Sequence, residues 1–341
     1  MRALRHFLLH AARTVGAFAL ARYLTRNRLR ILCYHGFSVG DEHQAMPLMF
    51  MRAATFERRL RILAKRRIPV VSLDEAVNRL ANEDVRRGET VITLDDGWAS
   101  NLTIGAPLLE RYGYPACIYV TTEHLAAGTE VFNVALDYML HCSLLETLSL
   151  AGVHPELDGV YEFRRDPAAA KRTLIQAAER AFPRLEERQQ LLTPLARALG
   201  FDPDSLLAGE RFRLLDRGQI QELLARGFDI ELHTHRHRLP RDSFESMAAE
   251  IEQNRAALRA LAAGERRHFC YPSGAYEGQQ PEWLERLGIV SATTCDPGLN
   301  APGSSPMLLK RYLDSDCFPD IVFEAEVCGL TDLLRGLAGR R

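Results

Sequence analysis

Three short clusters in this chain combine residue types that rarely sit together without a task. The first is Thr93-Leu94-Asp95-Asp96-Gly97, two adjacent carboxylates ending an apolar run. Neighbouring like charges repel, so the pair is costly unless a cation or hydrogen bonds intervene. One carboxylate could hold a metal while the other takes a proton from water. An Asp capping the helix that follows would explain one of the two equally well. The second is His233-Thr234-His235-Arg236-His237, which gathers three of the eleven histidines into five residues. Neutral imidazole is the commonest metal ligand, and a turn after a strand can bring His233 and His237, four apart, to one ion. His235, between them, is expected to point elsewhere. A solvated, histidine-rich loop is the bland alternative. The third is Tyr271-Pro272-Ser273-Gly274, a tight turn that can offer backbone N–H groups to a developing oxyanion. Cys33-Tyr34-His35-Gly36 supplies a further histidine in a comparable place.

Each cluster follows an apolar run with strand character, and in parallel α/β sheets chemistry gathers at the carboxyl ends of strands. Strands are expected at 30–34, 69–73, 91–94, 116–121, 228–232, 268–271, 290–293 and 307–313. Helical patterns separate them: one capped by Thr55, one opening at Asp74, then 102–112, 217–226, 244–263, 282–287 and 321–337. This strand–helix rhythm predicts an α/β fold, a parallel sheet or barrel with helices outside. Between 124 and 213 the rhythm lapses into mostly helical pattern, with one strand-like stretch at 160–163. The expected division is an amphipathic N-terminal helix (1–29), the first barrel part (30–123), a helical insertion (124–213), and the second barrel part with a C-terminal helix (214–341).

The 341 residues carry a formal net charge of −1, with 47% hydrophobic and 26% charged side chains. That composition suits a globular protein with a sizeable core and gives no basic face for nucleic acid. The seven cysteines form no CxxC pair, which reads as reduced thiols of a cytoplasmic protein. The first thirty residues mix apolar positions with Arg13, Arg22 and Arg26. They are too interrupted for a secretory signal or a bilayer span, so this basic amphipathic helix is expected to pack on the domain or to rest on a membrane surface.

Taken in order, TLDDG, HTHRH after helix–Gly–strand, and YPSG resemble the polysaccharide deacetylase family, the NodB-homology domain of carbohydrate esterase family 4. The resemblance covers roughly 30–117 and 214–313. It implies a distorted (β/α) barrel with fewer than eight strands and removal of acetyl groups from N-acetylated amino sugars of a polysaccharide or its lipid-linked precursor. By resemblance, Asp95 is the general base, and Asp96, His233 and His237 hold a divalent metal. Zinc fits these ligands, although they would also accept cobalt, nickel, manganese or iron. Thr234 would brace the loop by a hydrogen bond. Many members have an Arg-Pro-Pro-Tyr-Gly-like motif whose Arg orients the base. Here Cys270 stands in the Arg position, and Arg311 in LLKRYL is the candidate substitute. A late Leu-x-His motif that supplies a general acid is missing. A family branch acting on β-linked N-acetylglucosamine polymers has a Tyr-Pro-x-Gly motif and uses an early Tyr-His pair, which makes His35 the candidate acid. The motifs describe acyl chemistry without fixing the leaving group. An O-acetyl esterase, a small-amide hydrolase, or a binding protein that has kept its metal stays open.

Overall fold

The computed structural model describes residues 2–126, 129–143, 145–162, 166–262 and 264–338. Seven parallel strands form its centre, numbered here in chain order: β1 Arg30–Tyr34, β2 Thr90–Leu94, β3 Cys117–Val120, β4 Asp229–Leu232, β5 His268–Cys270, β6 Ser291–Thr293 and β7 Tyr312–Leu313. Their spatial order is 6-5-4-3-2-1-7. β7 pairs with β1 through Leu32–Tyr312 and Cys33–Leu313. Just upstream of it, Leu309 makes a parallel bridge to Thr293 of β6. The segment 309–313 therefore touches both edges and closes the sheet into a ring, the distorted barrel expected.

Parallel strands covered on both faces read as continuous apolar runs, and here alternate side chains enter two cores. Leu32, Tyr34, Ile92, Leu94, Ile118 and Val120 face the helix layer. Ile31, Val91, Cys117, Tyr119 and Cys270 share the opposite cluster inside the barrel. Period-two alternation carries Cys33, Thr93 and Asp95 along the same interior line, toward the carboxyl ends of β1 and β2.

Several expected elements are corrected. Residues 69–73 make only a bridge, Val70 to Thr90, because Pro69 brings no N–H to a ladder. The following helix is Leu73–Ala81, capped by Ser72. Thr55 is no cap: it lies buried inside Ala53–Lys65, and the Asp316 carboxylate accepts from the Arg52 N–H at that helix start. The N-terminal helix is two, Arg2–Thr14 and Ala17–Leu24, divided at Gly16. The C-terminal helix is also two, Asp320–Val327 and Leu330–Ala338. Gly329 parts them with φ +83°, where an added Cβ would lie 2.4 Å from Thr25 Oγ1. The strand expected at 307–313 begins as a 3-10 turn, Pro306–Leu308.

Residues between β3 and β4 form helices Phe132–Cys142, Pro167–Ala181, Leu185–Gln190, Leu192–Ala198 and Pro203–Leu206 around a core that includes Phe132, Leu136, Leu174, Leu195 and Phe212. The strand-like stretch is Val160–Glu162, paired antiparallel with Thr147–Ser149. Phe163 lies outside the described residues.

Candidate active site

Alternation along β2 points Asp95 into the barrel and would send Asp96 toward the helix layer. The backbone reverses that. Asp96 adopts φ +71°, and Thr234, His237 and Ser273 also have positive φ. Six non-glycine residues among those described have this conformation, and four lie in the three clusters. Such conformations cost roughly 1–3 kcal/mol each and persist where surrounding structure enforces them, commonly at functional sites.

These turns bring Asp96, His233 and His237 together. Asp96 Oδ1 lies 3.2 Å from Nε2 of each histidine. That oxygen is buried and no donor is aligned on it. Ligands about 2.1 Å from a tetrahedral ion lie about 3.4 Å apart, so this spacing fits a divalent cation. The second Asp96 oxygen accepts from Trp98 Nε1 at 2.9 Å, leaving Oδ1 turned to the imidazoles. His233 Nδ1 is 2.8 Å from the Cys270 carbonyl. A carbonyl only accepts, so Nδ1 carries the hydrogen and Nε2 is the ligand nitrogen. The His233 N–H is held in turn by Asn254 Oδ1 at 3.0 Å. Burial opposes charge on His233, yet Asp96 and Asp95 hold its pKa above the ordinary histidine value. Burial likewise opposes charge on Asp96, and the facing imidazoles more than offset it. A cation entering here competes with a proton for His233 Nε2, which couples binding to pH.

Asp95 has a different partner. Its carboxylate meets the Arg311 guanidinium in a two-pronged pair at 2.7 and 2.8 Å, both side chains buried. Burial would raise the Asp95 pKa, but Arg311 overcomes it and holds the group at about 2. The remaining Arg311 donors reach Thr294 O (2.8 Å), Thr93 Oγ1 (3.1 Å) and Cys270 Sγ (3.2 Å). Cys33 and Cys270 thiols lie 3.4 and 3.5 Å from Asp95 Oδ2. The arginine absent at position 270 is thus replaced in space by one from the closing segment.

A ring nitrogen of His35 lies within 4.8 Å of both an Asp95 carboxylate oxygen and Cys33 Sγ. Its Nδ1 is buried without a partner among the described residues, and its backbone carbonyl is fixed by Asn101 Nδ2 at 2.7 Å. His235 turns away to Thr122 Oγ1 at 2.9 Å.

Two expectations need correction. Thr234 Oγ1 is buried with no hydrogen-bond partner among the described residues, so Thr234 does not brace the loop. Asn254 does, donating also to Val120 O at 3.0 Å. In the Tyr271-Pro272-Ser273-Gly274 turn, the N–H groups of Gly274 and Ala275 are spent on Tyr271 O and Pro272 O. Tyr271 is buried against Phe269 and Tyr276. Only the exposed Ser273 end of this turn can face a ligand. Trp98 and Asn254 escaped sequence reasoning. Trp98, two residues past Asp96, could have been suspected from proximity; Asn254, mid-helix, carries no local signal.

Residues 204–292 match the sequence profile of the polysaccharide deacetylase family, a stretch that includes the His233–His237 cluster and the Tyr271–Gly274 turn. This stretch, 89 of the 341 residues, is similar to the polysaccharide deacetylase family. Among solved structures, it is similar to the Streptococcus pyogenes deacetylase PplD in complex with acetate, at 15% identity and TM-score 0.58, covering 89% of this chain and 96% of that one. It is similar to IcaB from Ammonifex degensii at 18% identity and TM-score 0.57, covering 89% and 97%. A de-N-acetylase from Aggregatibacter actinomycetemcomitans gives 13%, 0.55, 86% and 97%. At these identities the likenesses establish the deacetylase-domain fold. No curated protein matches the chain.

Proposed function

We propose that this protein removes acetyl groups from N-acetylated amino sugars of a polysaccharide or its lipid-linked precursor, with a divalent ion, zinc by ligand type, held by Asp96, His233 and His237. The observation that carries the reading is the division of labour between adjacent carboxylates. Asp96 faces two imidazole nitrogens, while Asp95 is locked to Arg311. A binding protein has little use for the second arrangement beside the first.

A bound divalent ion would make water more acidic and polarise the acetyl carbonyl. Held at about 2, Asp95 stays ionised throughout the working pH range. Arg311 fixes its orientation at some cost in proton affinity, so Asp95 serves as a positioned acceptor for the proton that attacking water gives up. His35, whose ring nitrogen lies within 4.8 Å of an Asp95 carboxylate oxygen and whose Nδ1 has no partner among the described residues, is the group we assign to protonate the departing sugar amine. The exposed end of the Ser273 turn is where a backbone N–H would meet the oxyanion. Beside His237 lie two cavities, about 100 and 260 Å³, sharing Glu123, His124, Val131, Arg236 and His237. Ligand sites start at about 300 Å³, so together they have room for one sugar unit. Asn133, Glu179 and Arg188 of the inserted segment supply polar groups to the wall.

The test is metal analysis of purified protein paired with acetate release from N-acetylated and O-acetylated oligosaccharides. Asp96→Asn should lose both metal and activity. Asp95→Asn should keep metal and lose about 10²-fold or more in turnover. His35→Ala should keep metal and lower turnover. Equal metal loss in both Asp variants contradicts the assigned roles, and release from O-acetyl substrates alone makes the protein an esterase.

A further inference from the structure

The first two helices and the last one carry two apolar faces each, and only one is used. The inner face is satisfied: Leu9, Phe18 and Ala21 pack on Ile321, Val322, Ala325 and Cys328. The outer face is not. Leu4, Phe7 and Leu8 on Arg2–Thr14 and Val15 just after it, Leu20, Tyr23 and Leu24 on Ala17–Leu24, and Leu334 and Leu337 on Leu330–Ala338 are each more than half exposed. Fourteen large apolar side chains are exposed among the described residues; eight fall on these three short helices and a ninth, Val15, on the link between the first two. Spacings of three and four residues put each set on one side of its helix. A groove of about 560 Å³, lined by Leu4, Leu8, Leu9, Leu334 and Ala338, joins the first helix to the last. The first and last helices thus share one apolar surface, and the second, which carries Leu20, Tyr23 and Leu24, packs against both. Scattered surface leucines need no explanation; a contiguous apolar patch does.

Charge identifies the occupant. The first forty residues contain seven arginines and no acidic residue. Arg5 and Arg26 are exposed on the same helical unit. Beneath it lies a cavity of about 380 Å³ lined by Arg13, Arg22, Lys65, Arg66 and Arg67, with Glu324 the one acid among its lining residues. A second copy of this chain would set arginines against arginines. A bilayer with anionic headgroups would match both the apolar side chains and the surrounding charge. Spanning is excluded for these helices: thirteen residues rise about 20 Å against a hydrocarbon core of about 30 Å, and none among those described is long and apolar enough to cross.

We propose that this three-helix face, built from both ends of the chain, is a docking surface that lies in the headgroup layer of an anionic membrane. Leu4, Phe7, Leu8, Leu20, Leu24 and Leu337 enter the acyl boundary, and the arginines meet lipid phosphates. Docking is independent of the acetyl chemistry, because none of its residues belongs to the site around Asp95 and Asp96.

The experiment is co-sedimentation of the full chain with vesicles of phosphatidylcholine alone and of phosphatidylcholine with phosphatidylglycerol, at low and high salt. Expected are binding to the anionic vesicles, weakening as salt rises, and a loss of about tenfold or more for the double variant Phe7→Glu, Leu8→Glu. Arg5→Ser with Arg26→Ser should weaken binding at low salt and leave little difference at high salt. Circular dichroism and unchanged acetate release from a soluble substrate show that the variants are folded. No binding to either vesicle overturns the proposal. So does equal binding to neutral vesicles, or a dimer in light scattering that the Phe7, Leu8 variant converts to monomer.

Discussion

Breaking the Arg311–Asp95 pair should reveal how strongly two buried charges depend on each other. In the unfolded chain Asp95 titrates near 3.8, and in the fold at about 2. That depression corresponds to roughly 2–2.5 kcal/mol of stability at neutral pH. Because the folded value is the lower one, this contribution is complete above about pH 4 and disappears as pH falls through 2. Replacing Arg311 by Met does more than remove it. Burial, now unopposed by the guanidinium, acts on a carboxylate that is almost wholly enclosed. Removing one member of a buried pair costs about 3–5 kcal/mol, much of it from the charge left behind. Asp95→Asn strands Arg311 in the same way. The double variant strands neither, so its loss should be no larger than that of the worse single variant, leaving a coupling energy of roughly 2–4 kcal/mol. The assay is urea unfolding at pH 7, followed by far-UV circular dichroism, for the wild type, both single variants and the double. Losses that add to within about 0.5 kcal/mol would refute the reasoning. They would mean that Arg311 is held by Thr93, Thr294 and Cys270, and that Asp95 is merely near it.

Trp98→Phe keeps the edge contact with Phe50 but removes the N–H that pins Asp96 Oδ2. Loss of such an outer hydrogen bond typically costs 10–100-fold in metal affinity, to be read by competition with a chelator; an unchanged affinity would show that Asp96 needs no orienting. Glu231, buried on β4, is pushed up to about 8, with the His268 N–H at 2.9 Å the main opposing influence. The fold therefore retains a proton that the unfolded chain releases near 4.5, so stability should fall as pH rises from 4.5 to 8, by at most about 4–5 kcal/mol. Glu231→Gln should flatten that slope and raise the urea midpoint at pH 8.5; an undiminished slope would assign it to other groups.

What the sequence disclosed follows from where the determining physics is local. Adjacent carboxylates, clustered histidines and a Pro–Gly turn are visible because the residue types themselves are costly or restrictive. The barrel was visible because covered parallel strands leave unbroken apolar runs between helical patterns. Position 311 could be nominated only through the family resemblance, which implies a charge at 270 where this chain has Cys270, and an arginine stood in the last expected strand. What stayed hidden depends on contacts across long separations. The helix at Ala53 starts where it does because Asp316 lies opposite Arg52. The histidine loop is held by Asn254 rather than Thr234. The left-handed turn that redirects Asp96 into the histidines has no marker except the glycine that follows it.

The segment 309–313 follows every histidine and aspartate of the site in chain order, and it is also the piece that joins the barrel's two edges and delivers Arg311 to Asp95. A nascent chain lacking it would have an open sheet edge and a buried acid without its counter-charge. Assembly of the site thereby waits on this segment: a fragment halted upstream of Leu309 can carry every histidine and aspartate of the site and still lack the arginine that sets the charge of Asp95.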